Sequence, residues 1–101
     1  MNIQIRGIGI PQTEALTAHI QRSLAFALSR FATRLDRVVV RFSDLNGPKG
    51  GCDKVCRVGF TLKGAGTEAV EARDLDLYSA VDQAAAKAGR RVARLVEQAR
   101  G

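Results

Sequence analysis

The stretch Cys56-Arg57-Val58-Gly59-Phe60-Thr61-Leu62-Lys63-Gly64-Ala65-Gly66-Thr67-Glu68-Ala69-Val70-Glu71-Ala72-Arg73 decides the fold of this chain. In its first half Cys56, Val58, Phe60 and Leu62 fall on one side, and Arg57, Thr61 and Lys63 on the other. A period of two over that length predicts a strand with one buried face. Gly64-Ala65-Gly66 predicts a short hairpin loop. A further strand, about Thr67 to Arg73, places Val70 and Ala72 toward the core. Such a hairpin is not stable alone, because its apolar face needs cover.

The cover comes from both directions along the chain. Downstream, Asp76 is placed to cap a long helix, with Leu75 before it as a candidate hydrophobic staple. Leu77, Val81, Ala84, Ala88, Val92, Leu95 and Ala99 recur at helical spacing and predict its buried stripe. Gly89 interrupts that pattern at a cost of about 1 kcal/mol relative to Ala. It sits at the stripe's edge, where a missing side chain would let another helix come close. Upstream, Arg37 to Ser43 alternates, with Val38, Val40 and Phe42 on one side. Asn2 to Arg6 alternates as well, with Ile3 and Ile5 together. Between them Thr13 is a plausible N-cap with Glu14 in the first turn. Leu16, Ile20, Leu24, Ala27, Leu28 and Phe31 form one stripe, so this first helix is expected to run to about Arg34. Phe26 lies off the stripe, and the pattern offers no place for it.

The order is β-α-β-β-β-α, an α+β fold. Its economical arrangement is a four-stranded sheet with two helices packed on one face. The first β-α-β unit would be a right-handed crossover between parallel strands, and the rest a meander. No strand follows the second helix, which argues against a ferredoxin-like βαββαβ order. With 101 residues the chain is expected to form a single domain over 1–101.

Sixteen Lys and Arg against ten Asp and Glu give a net charge of +6, and the pI is near 10.2. That surplus on a small domain attracts polyanions, nucleic acid above all. No apolar run is long enough to span a bilayer. Asn2, Gln4 and Arg6 break up any signal-peptide core, so the expected location is the cytoplasm. Cys52 and Cys56 lack the second pair of ligands that a structural zinc site needs. They are expected to be thiols, one of them buried on a strand.

Lys87, Arg90 and Arg94 project away from the stripe of the second helix, with Arg91 on its flank. Arg22 and Arg30 lie on the outer side of the first helix. Side by side, the helices would carry one continuous basic surface able to track phosphates. Acidic partners at i,i+4 are largely missing there. The open sheet face is basic too, with Arg6, Arg41, Arg57, Lys63 and Arg73 against Glu71. Its outward positions hold no aromatic on which a base could stack. The Asn46-Gly47-Pro48-Lys49-Gly50-Gly51 loop could offer backbone N–H groups to a phosphate, with Lys49 and Lys54 nearby. It is not a P-loop, since Gly-Lys-Ser/Thr is absent.

Catalysis finds no footing. His19, the only histidine, is expected near the solvent side of the first helix. Asp74, Asp76 and Asp82 crowd the start of the second helix, and capping accounts for the first two. No catalytic residue, cofactor, metal or small-molecule substrate is expected.

Three stretches carry a family resemblance. They are Met1 to Gly7, the Thr13-Glu14-Ala15-Leu16 helix opening, and above all Asp76-Leu77-Tyr78-Ser79-Ala80-Val81-Asp82. The last resembles Asp-x-Tyr-Ala-Ala-Ile-Asp, departing at Ser79 and Val81. This is the pattern of the ribosome hibernation factor family, also called the ribosome-associated inhibitor or sigma-54 modulation family, and the resemblance covers essentially the whole chain. It implies a fold related to double-stranded RNA-binding domains and binding to ribosomal RNA of the small ribosomal subunit. The site implied is the channel of messenger and transfer RNA, where occupancy blocks translation and preserves idle ribosomes under stress. The RNA-binding candidates are then Arg22, Arg30, Lys87, Arg90, Arg91 and Arg94, with Lys49 and Lys54 added from the loop. The glycine-rich loop is longer than in compact members. The chain is also expected to lack the C-terminal domain by which long members pair ribosomes.

Two other readings compete. A generic double-stranded RNA-binding module would explain the Gly-Pro loop but not the acidic start of the second helix, where Lys-Lys-x-Ala-Lys is missing. A protein-interaction or regulatory module without an RNA role would bind ribosomes not at all, or indifferently to salt.

Overall fold

The computed structural model describes residues 1–45 and 54–100. The chain runs β1 (Asn2–Ile8), α1 (Glu14–Leu28), a 3-10 turn (Ser29–Arg34), β2 (Leu35–Asp44), β3 (Lys54–Leu62), β4 (Gly66–Asp74) and α2 (Leu77–Arg100). The strands form one sheet in the order β1-β2-β3-β4. β1 lies parallel to β2, and the other two pairings are antiparallel. The expected parallel unit followed by a meander is therefore present.

Strand parity follows the alternation in the sequence. Val38, Val40 and Phe42 of β2 and Cys56, Val58, Phe60 and Leu62 of β3 are buried in one cluster. Leu16, Ile20, Leu24 and Leu28 of α1 and Ala80, Val81, Ala84, Ala88 and Val92 of α2 complete it. Both helices thus cover the same sheet face. In β4 Ala72 is buried and Val70 half-buried. Leu35 also enters the core, because a register irregularity between Leu35 and Arg37 turns it inward.

The helix ends depart from expectation. Thr13 caps α1 as expected, its hydroxyl accepting from the Leu16 N–H at 3.1 Å. The α-helix stops at Leu28, however, and the chain reaches Arg34 as a 3-10 turn. Apolar spacing over one turn does not separate the two helix types, so Phe31 reads alike in both. At α2, Asp76 accepts from the Tyr78 N–H at 3.3 Å, and the Asp76 carbonyl takes the Ala80 N–H. Leu75 is exposed and makes no staple. Asp74 braces this end instead, accepting from the Asp76 N–H at 3.0 Å, Ser79 Oγ at 3.1 Å and Gln83 Nε2 at 2.7 Å. The Asp76 and Gln83 bonds, in that order, hold its carboxyl below the usual range. Acid therefore weakens this brace as pH falls below the ordinary carboxylate pKa. Ala99, expected on the buried stripe, is exposed, and Val96 is buried in its stead. Ala99 lies ten residues, about 15 Å, beyond the point where Gly89 meets α1, past the helix that would cover it.

Two glycines are set by close approach. A Cβ on Gly89 would stand 3.0 Å from the Ala27 carbonyl oxygen and 3.4 Å from its Cβ, so the expected helix–helix contact is real. Gly89→Leu should cost about 1–3 kcal/mol by forcing the helices apart. A thermal melt checks this, and an unchanged Tm would deny the contact. A Cβ on Gly7 would stand 2.5 Å from the Ile10 carbonyl oxygen and 2.8 Å from the Phe42 ring.

Cys56 is fully buried, and burial pushes its thiol up to about 12. A protonated, enclosed thiol is inert. An alkylating reagent at pH 8 should leave Cys56 unmodified in the native protein and modify it fully once denatured. Rapid native modification would place it outside the core.

Candidate nucleic-acid interface

Contacts between the helices climb both in the same direction. His19 and Ser23 meet Asp82, and Ala27 meets Gly89, so α1 and α2 run parallel. The small residues Ala27, Ala85, Ala86 and Gly89 leave a groove between them of about 900 Å³. Arg22 and Phe26 of α1, Arg30 of the 3-10 turn that follows it, and Arg90 of α2 line it.

The groove has one acidic side chain, already engaged. Asp82 accepts from Ser23 Oγ at 2.5 Å and lies 2.8 Å from His19 Nε2. His19 is half-buried and packs edge-on to Tyr78 with ring centroids 4.9 Å apart. It is thus a helix–helix tie, where the sequence suggested a surface histidine.

The candidate basic residues divide into two groups. Arg22, Arg90 and Arg94 are exposed and have no ion-pair partner among the described residues. Arg30 is exposed and lies over the Phe31 ring, 4.7 Å from its centroid. Lys87 and Arg91 are tied to β4. Lys87 Nζ donates to the Glu71 carbonyl at 2.9 Å, and Arg91 grips the Glu68 carboxylate at 2.6 and 3.1 Å. That grip raises the Arg91 pKa further. Partners missing within the helix are therefore supplied across elements, and the surface is less uniformly free than i,i+4 spacing implied. Lys54 pairs with Asp44 at 2.9 Å. Lys49, Cys52 and the Asn46–Gly51 loop lie outside the described residues.

The open sheet face is basic in a different way. Arg6, Arg41 and Arg57 stand in register on neighbouring strands, with Glu71 next on β4. Like charges placed directly opposite destabilise a sheet. Phe42 and Phe60 point to the other side, so this face offers no stacking ring from either. Among the described residues no group of three or more His, Cys, Asp or Glu could hold a metal, and no helix is long and apolar enough to cross a membrane.

Residues 3–100 match the family model of the sigma 54 modulation protein / S30EA ribosomal protein. The chain belongs to that family. Among solved structures it is similar to a ribosomal subunit interface protein from Coxiella burnetii, with a TM-score of 0.79 and 21% identity over 96% of this chain and 99% of that one. It is also similar to the N-terminal domain of Thermus thermophilus Protein Y, with a TM-score of 0.76 and 29% identity over 94% and 99% of the two chains. No curated protein matches the sequence. The family is one of ribosome-associated proteins and not an enzyme family, and the α+β order agrees with these neighbours.

Phe26 is the one aromatic of the first helix for which the apolar stripe offers no place. Its position off the apolar stripe was the available signal, and the structure sets its ring in water, 95% exposed, beside the groove.

Proposed function

We propose that this protein binds the small ribosomal subunit through its ribosomal RNA, with the helical face as the contact surface. The observation that carries the reading is the arginine set Arg22, Arg90 and Arg94, exposed and without acidic partners, on a chain of this family. Free guanidinium groups on two parallel helices can bind successive phosphates, releasing counterions as they do so. Arg30 adds a guanidinium pre-positioned by Phe31. Lys87 and Arg91 contribute to the surface potential while braced by β4, and Lys49 and Lys54 belong to the proposed RNA-binding set.

The domain occupies the channel of messenger and transfer RNA, so that a ribosome holding it cannot translate and is kept intact during stress. The chain works as one binding unit in the cytoplasm, without catalysis, cofactor or small-molecule substrate. Co-sedimentation with purified small subunits tests this, with free duplex RNA of arbitrary sequence as competitor. The protein should pellet with the subunit and resist the competitor. Equal affinity for any duplex would instead make it a generic double-stranded RNA-binding module.

A further inference from the structure

We propose that the groove between α1 and α2 takes an unpaired RNA nucleotide, its base stacked on Phe26 and its flanking phosphates held by Arg22, Arg30 and Arg90. This rests on the RNA-binding reading above and specifies what kind of RNA the helical face meets. Phe26 is 95% exposed in the last turn of α1, a helix whose other large apolar residues, Leu16, Ile20, Leu24 and Leu28, are buried. Phe is a mediocre helix former, so helix propensity does not explain the ring. Covering such a ring is favourable, because it removes apolar surface from water.

The surroundings select the cover. Arg22 stands one turn before Phe26 on α1, Arg30 follows it in the 3-10 turn, and Arg90 lines the same groove from α2. Arg30 is held over Phe31, which leaves the edge of its guanidinium free to donate. The carboxylate of Asp82 is engaged by Ser23 and His19 and forms no ion pair with these arginines. Small residues at Ala86 and Gly89 keep the groove open beside the ring. An aromatic face among unpaired arginines is the pattern that binds single-stranded nucleic acid, stacking the base and pairing the backbone. Duplex RNA keeps its base faces inside the stack, and so offers nothing to Phe26. A second copy of this chain is a poor cover, because joining two such faces would set six arginines together.

The test uses Phe26→Ala and Phe26→Trp in the full chain. The protein has no tryptophan of its own, so Phe26→Trp carries a unique fluorophore on the stacking position. The affinity of each variant for purified small subunits is measured against salt. Phe26→Ala should bind roughly 5- to 150-fold more weakly, the equivalent of about 1–3 kcal/mol of base stacking. Its slope of log affinity against log salt should be unchanged, since no charge is removed. Phe26→Trp should retain affinity, and its emission should be quenched by the subunit and by a single-stranded oligoribonucleotide but not by a blunt duplex. Native melting curves for both variants, expected for so exposed a ring, exclude misfolding as the cause. Wild-type affinity in Phe26→Ala, with subunit binding intact, would overturn the stacking proposal and leave the ribosome reading standing. Failure of the unaltered protein to bind subunits would overturn that reading itself. Self-association abolished by Phe26→Ala, with RNA binding untouched, would overturn the proposal in favour of a protein contact.

Discussion

Phe60→Ala should lower the unfolding free energy by roughly 3–5 kcal/mol, the range for truncating a buried aromatic. Phe60 is 1% exposed and sits in β3 with Val38 of β2 as its partner across the ladder, under both helices. Removing the ring takes its apolar area out of the core and leaves a cavity that the rigid sheet closes only in part. Thr61, the next residue, faces the open side, where its hydroxyl lies 3.0 Å from that of Thr67. Thr61→Ala serves as the neighbouring control, because surface changes usually stay within about 0.5 kcal/mol. Urea unfolding of both variants decides the matter. A Phe60→Ala midpoint equal to the wild-type value would invert the two sheet faces and remove the physical basis for the helical site.

The second large effect is on binding. Replacing Arg22, Arg90 and Arg94 with Gln keeps good helix formers in place while removing three charges without ion-pair partners among the described residues. Each lost phosphate contact should flatten the slope of log affinity against log salt by about 0.7–0.9, so three contacts change it by about two units. Arg41, Arg57 and Lys63 to Gln removes the same charge from the other face. If the helical face is the contact surface, the helix triple loses far more affinity and slope than the sheet triple. Equal losses would leave only general attraction between a basic protein and a polyanion.

The legibility of this molecule followed the range of its interactions. Val38, Val40 and Phe42 declared their face because parity along a strand is a local property. The gap at Gly89 was legible for a similar reason, since a glycine interrupting an apolar stripe implies a close neighbour. The change to a 3-10 turn after Leu28 was not, because one turn of apolar spacing fits either helix. Nor were the bonds from Lys87 to Glu71, from Arg91 to Glu68, or from Asp82 to His19 and Ser23. Those partners stand on separate elements, 16 to 63 residues apart, and meet only once the helices are laid on the sheet. The candidate site was thus legible as a charge excess on two helices. Which of its arginines remain free depended on tertiary placement.

Arginine labelling with phenylglyoxal, read residue by residue by mass spectrometry with and without the small ribosomal subunit, tests the central claim most directly. It needs no substitution and compares both faces in one experiment. The account predicts that the subunit protects Arg22, Arg30, Arg90 and Arg94, while Arg41 and Arg57 on the open sheet face stay reactive. Protection of Arg41 and Arg57 with continued labelling of Arg22 and Arg90 would contradict it and put the ribosomal contact on the sheet.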